Sequence, residues 1–548
     1  MPRLFSLNAD VRERLLAYVF AGFFCLFFFE LLNRAFPYGA MAGDTPGYMN
    51  VVAHFRWGAM NAQEWIRTPL TGWMFSVATM FSRPSVAVFW INAFFYIAAV
   101  ETVLWFARTL FGSTVVAVLF ASLFVLLEVL LMHSFLSTLR LIADSTFTSV
   151  ILIGMLLIIG GWIKGRGLPV YCGYALIGLA AFERPFGAGL FFLLIPAAFL
   201  PSRARVKRRW MVHLRHSAIC IALLTLPLLL WSARNAFVYG TFEPTAATGR
   251  YLLAKVLPLL RDTDRVLPNA NDNRTFIEDV RTLQRTVGTD YNSYANGAYH
   301  SADNPYNFLY SIDGGINITS PTDRDIFRHG GLSTVVALHI VASHPIGYIG
   351  MVAGDYVGLL SQSASYLFPV SVGHYYALWV SHTLPYAAPY FGVFYPPDGR
   401  MFMTMSDPRA FDVLYALSRF VHERGMIAWG ASLAPVIVPH ALFLLALIGY
   451  LLARRYRWNA RFADGCLAVI FLLFVMMEFD LFAMSLEFAD IRYGFPSELL
   501  THVAYLTALF LCIGGLARGW RRVSRSLFAY KTAAPNATAR HTTHAPST

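Results

Sequence analysis

Across 548 residues, 57% are apolar and only 14% are charged, with a mean hydropathy of +0.52. Soluble domains carry about 25% charged residues, so this balance excludes a soluble globular chain. The formal charge of +12 lies in short clusters between apolar runs and no nucleic-acid motif accompanies it, so the partner it implies is a membrane surface and not nucleic acid. The fold class expected is an all-α polytopic membrane protein.

The first apolar run, 15–33, is long enough to span and lacks a small-residue cleavage site, so it reads as a signal anchor. Further full-length candidates follow at 85–107, 114–134, 144–163, 168–183, 184–200, 216–238, 428–453, 465–486 and 495–517. Shorter or wetter pieces at 69–82 and 346–366 read as re-entrant or interfacial helices. Basic clusters fix the sides by the positive-inside rule. Arg3, Arg12 and Arg14, Lys164 with Arg166, the run from Arg203 to Arg215, Arg454-Arg455-Tyr456-Arg457 and the run from Arg518 to Arg525 all belong in the cytoplasm. About ten full crossings satisfy every cluster, with both termini cytoplasmic.

The domain organisation follows from that topology. An N-terminal transmembrane module, 1–238, includes a first extracytoplasmic loop, 34–84. The segment 239–427 is a loop-rich extracytoplasmic insertion, polar at first, then a helix from Leu332 to Ser343 ended by Pro345, then a membrane-hugging stretch. A C-terminal module covers 428–530, and the Ala/Thr/Pro/His-rich tail 531–548 is expected to be disordered. The five cysteines (Cys25, Cys172, Cys220, Cys466, Cys512) sit in apolar segments without metal-type spacing and read as buried thiols.

Charged side chains at span ends cost about 2.5–3.5 kcal/mol each if drawn into hydrocarbon, so those on the far side are candidates for function. In chain order they begin with Gly43-Asp44-Thr45-Pro46, a carboxylate on a turn, and Arg67-Thr68-Pro69-Leu70, which opens a short apolar piece. Arg140 and Asp144 lead into a span, and Glu183-Arg184-Pro185 links two spans. Arg234-Asn235 exits another towards Gly240, and Asp490-Ile491-Arg492-Tyr493 with Pro496 enters the last.

This ordered set resembles the GT-C superfamily of polytopic glycosyltransferases, close to the protein mannosyltransferase and aminoarabinose transferase type. Members carry an acid in the loop after the first helix, a Pro-Leu helix start, an acid opening a middle span, an Arg/Lys-Pro turn, an Arg-Asn exit and a late Arg-Tyr-x-x-Pro. The matches are Asp44, Arg67 to Leu70, Asp144, Arg184-Pro185, Arg234-Asn235 with Gly240, and Arg492-Tyr493 with Pro496. They cover roughly 15–250 and 330–517. Two departures stand out: many relatives have adjacent acids where this chain has Gly43-Asp44, and Thr68-Pro69-Leu70-Thr71 replaces the usual Pro-Pro-Leu-Tyr.

The resemblance implies a sugar donor on a polyprenyl phosphate, and a lipid, glycan or protein acceptor at the extracytoplasmic face. A turn-held Asp44 suits the base that takes the acceptor proton. Arg184, Arg234 and Arg492, with Arg67, Arg140, Asp144, Asn235 and Tyr493, form the substrate-binding set, guanidinium forks matching a phosphate leaving group. Some members hold a divalent ion with the first-loop acid, so a divalent cation is the one cofactor the resemblance admits. The expected location is a bacterial inner membrane.

Plainer readings stand beside these. Asp44 suits an Asx turn, Asp144 an N-terminal partner of Arg140, Arg184 a local pair with Glu183, Arg234 a snorkelling side chain and Arg492 a partner of Asp490. Acids deeper in spans, among them Glu101, Glu128, Glu478 and Asp480, suit the proton path of a carrier or lipid flippase. An O-antigen ligase or polymerase type, using a diphosphate-linked donor, is a further enzyme reading.

Overall fold

The computed structural model describes residues 9–35, 69–79, 84–131, 144–199, 210–261, 274–287, 323–365, 409, 434–456, 458–486 and 495–533. These residues are almost entirely helical, and no strand occurs among them. Helices α1 (Ala9–Ala35), α2 (Pro69–Thr79), α3 (Pro84–Phe111) and α4 (Thr114–Leu131) come first. Then α5 (Asp144–Lys164) and α6 (Gly167–Glu183) are followed by a 3-10 turn (Pro185–Leu190) and α7 (Phe191–Ala198). The long α8 (Trp210–Tyr239) leads to α9 (Ala247–Val256), α10 (Arg274–Val287), α11 (Asp323–Ser343) and α12 (Pro345–Ser365). The chain closes with α13 (Ala434–Arg455), α14 (Ala460–Leu486) and α15 (Phe495–Ala533).

Seven of these helices (α1, α3, α5, α8, α13, α14 and α15) are long and apolar enough to cross a membrane. The chain is an integral membrane protein. The other three expected crossings are helical but shorter: α4, α6, and the 3-10 turn with α7. At 1.5 Å per residue the 17 residues of α6 reach only about 26 Å, short of a roughly 30 Å hydrocarbon core. The expected count of about ten therefore meets seven helices that qualify by length, or eight if α11 and α12 are one broken span.

Several boundaries differ from the sequence expectations. The helix expected from Leu332 begins at Asp323, and Pro345 does not simply stop the chain but opens α12 at its first position, bent 103° from α11. Where described, the 239–427 segment is mostly helical, with a loop at 240–246. The last helix runs to Ala533, because Arg518 to Lys531 are mostly residues that propagate a helix once a span has nucleated it. Residues 531–533 of the expected tail are thus helical, and 534–548 lie outside the described residues.

Packing centres on α5. Of the seven candidate spans it is the most enclosed, with 78% of its apolar window buried against 17% for α13. It packs on α3, α6 and α15, and the largest core runs through α1, α3 to α8 and α13 to α15. In lipid, close backbone approach rather than water exclusion drives such contacts, and small residues permit it. A Cβ added at Gly154 of α5 would lie 2.6 Å from Ile177 Cγ1 of α6, and one at Gly178 of α6 would lie 2.7 Å from the Leu224 carbonyl oxygen of α8. Gly165 (φ +65°) turns α5 back into α6, so the two run antiparallel. Asp144 and Glu183 consequently share one end of the bundle, and Lys164 and Arg166 the other.

Gly178→Ala is expected to lower the thermal midpoint of the purified protein in detergent. The added methyl meets backbone that cannot step aside, an overpacking cost of about 1–3 kcal/mol. Gly354→Ala is the control, since a Cβ there meets nothing within 4 Å; it should leave the midpoint unchanged or slightly higher.

Candidate functional site

Pro185 decides the local geometry. A residue before proline is driven out of helical backbone, and Arg184 is extended (φ −134°, ψ 114°), ending α6 with its amide on the Ala180 carbonyl at 2.8 Å. Its side chain crosses to α5, where the guanidinium pairs with the Asp144 carboxylate and lies 5.9 Å from the centre of the Phe147 ring. Asp144 is only 2% exposed and Arg184 14%, so this is a largely desolvated pair.

Glu183 does not pair with its neighbour Arg184, contrary to the local ion pair the sequence offered. It is buried, and its Oε1 accepts hydrogen bonds from Thr146 Oγ1 (2.5 Å) on α5 and Thr71 Oγ1 (3.2 Å) on α2. One extended residue separates the two side chains onto different partners. The sequence reading took Glu183 only as a neighbour of Arg184, and it did not single out Thr71 and Thr146 as site residues. The signal for Glu183 was its place in the same Glu-Arg-Pro turn; for the threonines there was none, because their relevance depends on which helices meet.

Beside the pair, the first turns of α5 hold unused polar atoms. Asp144 Oδ2 and the hydroxyls of Ser145, Thr148 and Ser149 are buried and have no hydrogen-bond partner among the described residues. Buried polar groups are normally satisfied, so such a row is a place where polar matter outside the chain is wanted.

Arg234 and Asn235 stand at the end of α8 and organise its exit. Asn235, fully buried, donates from Nδ2 to the carbonyl oxygens of Glu243 (2.8 Å) and Pro244 (3.1 Å), and Trp231 Nε1 donates to the Pro244 oxygen at 3.0 Å. Arg234 donates to Asn235 Oδ1 (3.0 Å), with its guanidinium 4.7 Å from the Trp231 ring and 5.2 Å from that of Tyr239. Gly240 (φ +80°) makes the turn that starts this loop. Leu70, Trp73, Phe182 and Trp231 form one apolar contact that joins this exit to α2 and α6. Asn235 thus shapes the loop, and Arg234 stacks on Trp231 and Tyr239.

The loop delivers Glu243 to α11. Its Oε1 accepts from Thr334 Oγ1 at 2.8 Å, while Oε2 is buried without a partner among the described residues. Burial pushes this carboxyl up to about 7, and the Thr334 bond offsets only part of the rise. On α9, burial pulls Arg250 down to about 10, and the fully buried Lys255 donates to Asp355 of α12 at 2.5 Å.

Of the expected site residues, the structure brings Asp144 and Arg184 together and sets Arg234 and Asn235 beyond the shared aromatic contact. Asp44, Arg67, Arg140, Arg492 and Tyr493 lie outside the described residues. Among the described residues no three His, Cys, Asp or Glu side chains gather as a metal site.

Two outcomes test this geometry. Breaking a buried pair from one side strands the other charge, at a cost of about 3–5 kcal/mol. Asp144→Ala or Arg184→Ala should each destabilise the purified protein strongly, and the double variant should cost clearly less than the sum in a thermal or denaturant cycle. For Glu243, the raised folded value means that the neutral form is favoured. Its burial contributes stability that is fully present below the ordinary carboxyl range and is lost as pH rises through about 7, where the carboxyl ionises in its buried site. Amide exchange across 240–250, corrected for intrinsic rate, should accelerate over that window, and Glu243→Gln should abolish the change.

No protein-family model matches this chain, and no curated protein and no solved structure matches it either.

Proposed function

We propose that this protein is a glycosyltransferase that moves a sugar from a polyprenyl-phosphate donor to an acceptor at the extracytoplasmic face of a bacterial inner membrane. In this reading the chain crosses about ten times, with cytoplasmic termini and an extracytoplasmic insertion at 239–427. The short helices α4, α6 and α7 cross where neighbours cover their ends.

The observation that carries the reading is the buried Asp144–Arg184 pair with unused polar atoms beside it. It lies at the end of α5 away from Lys164, about 30 Å along a 21-residue helix. The positive-inside rule makes that the extracytoplasmic end. A guanidinium held there by a carboxylate is pre-oriented for a lipid phosphate, and the charge developing on the leaving phosphate gains most from donors already in place. Ser145, Thr148 and Ser149 add donors and acceptors for the sugar. Asp44, which precedes α2 in the chain, is assigned the base that takes the proton as the acceptor hydroxyl attacks the anomeric carbon.

A second reading has its own support. Glu478 and Asp480 on α14 are acids within a span whose Oε2 and Oδ1 are buried and lack partners among the described residues. The 103° break between α11 and α12 is the kind of interrupted helix that carriers use. A proton-coupled carrier or flippase would depend on those acids.

One experiment separates the two. Purified Asp44→Asn protein is expected to bind the donor lipid and lose sugar transfer, while Asp480→Asn keeps it. Full turnover by Asp44→Asn, together with loss of lipid or solute movement in Asp480→Asn, would favour the carrier. Supplying monophosphate and diphosphate polyprenyl sugars in parallel identifies the donor type, the diphosphate being the ligase expectation.

A further inference from the structure

The opposite end of the bundle holds a cluster of cations that the proposed reaction does not use. Four helix ends meet there. At the start of α1, Asp10 accepts from Arg14 on its own helix and, at 2.8 Å, from Arg108 Nη2 near the end of α3. One turn before Arg108, Trp105 packs on α5, where a Cβ at Gly160 would be 2.6 Å from the indole Cη2. That contact brings the end of α5 onto α3, and Lys164 Nζ lies 5.2 Å from the centre of the Trp105 ring. Gly165 then reverses the chain, and Arg166 sits at the start of α6.

Through Trp105, Lys164 and Arg166 are brought to the end of the bundle where Arg14 and Arg108 meet on Asp10. Four cations thus converge with Asp10, and that acid is already shared between Arg14 and Arg108. Lys164 and Arg166 are exposed and meet no acid among the described residues. Like charges held together by tertiary packing repel, so the cluster has a standing electrostatic demand for an anion. Its position at the ends of helices of the transmembrane bundle, beside an indole of the kind that settles at headgroup depth, restricts what that anion is. Basic pockets between spans on the cytoplasmic side suit phosphate headgroups.

We infer that the joined ends of α1, α3, α5 and α6 bind the phosphate headgroup of an anionic phospholipid, with Lys164 and Arg166 as its unpaired cationic contacts and Trp105 beside it. The charge of the site is fixed by Arg14, Arg108 and Asp10, which lock the helix ends. The ligand is a membrane lipid of the cytoplasmic leaflet, not the sugar donor, so the inference does not depend on the function proposed above.

The test uses the full chain in nanodiscs of phosphatidylcholine with added phosphatidylglycerol, and reads retained lipid by native mass spectrometry. Wild type is expected to hold phosphatidylglycerol over phosphatidylcholine, less so at high salt. Losing two basic contacts near a surface should weaken retention roughly thirtyfold in K164Q/R166Q. The charge-conserving K164R/R166K should keep the lipid, which separates headgroup binding from a folding defect. Equal retention of both lipids by wild type, unchanged retention in K164Q/R166Q, or loss in K164R/R166K overturns the assignment. Displacement of the lipid by inorganic phosphate at low concentration also overturns it, as the mark of a free-anion site.

Discussion

A single proline and the charge pair it creates set the geometry of the polar end of this bundle. Pro185 forces Arg184 out of helical backbone, and only from that extended residue does the guanidinium reach across to Asp144 at the start of α5. Without that guanidinium, Asp144 would be left as a lone buried carboxylate. Such a charge is tolerable in a low-dielectric interior only when paired or metal-bound. The pair therefore fixes how α5 and α6 meet at that end. Glu183, released from its neighbour, ties the same end to α2 through Thr71 and Thr146.

The same constraint recurs at two further buried pairs. Glu128 of α4 meets His502 of α15 at 2.5 Å, and Lys255 of α9 meets Asp355 of α12 at the same distance. Each pair bridges segments remote in sequence. An apolar helix in lipid gains little from choosing one apolar neighbour over another, since hydrocarbon tails solvate it as well. Paired polar groups and glycine crossings discriminate among neighbours where apolar surface does not, and both kinds converge on α5 and α6. This explains why α5 is the most enclosed span although its first turns are its most polar.

The bundle is also unlike at its two ends. One carries a carboxylate–guanidinium pair, a second acid on two threonines and unused hydroxyls, with aromatic rings between α2, α6 and α8. The other carries cations in excess, with Trp105 among them. An antiparallel α5–α6 hairpin makes that difference unavoidable, because Asp144 and Arg166 sit at opposite ends of the same turn-linked unit. In the reading proposed above, lipid phosphates attract the basic end and the polar end carries the chemistry.

What the sequence alone determined was class and placement. Apolar runs of span length and the low charge content made this a polytopic helical protein, and helices do occupy every run expected to cross. Asp144, Arg184, Arg234 and Asn235 were all picked out as charged or polar residues at span ends. Length was less legible, since an apolar run in α4 or α6 reads as a span whether or not the helix reaches across. Partners were not legible at all. Arg184 with Glu183 and Arg140 with Asp144 were the pairs that sequence proximity offered, yet the fold joined Arg184 to Asp144 and gave Glu183 to two threonines. Asn235 looked like a substrate ligand, and the structure has it holding the carbonyls of its own exit loop. Those choices rest on which backbone is extended and which helices cross at glycine. The distances between residues some 40 or 110 positions apart that result are a property of packing, not of spacing along the chain.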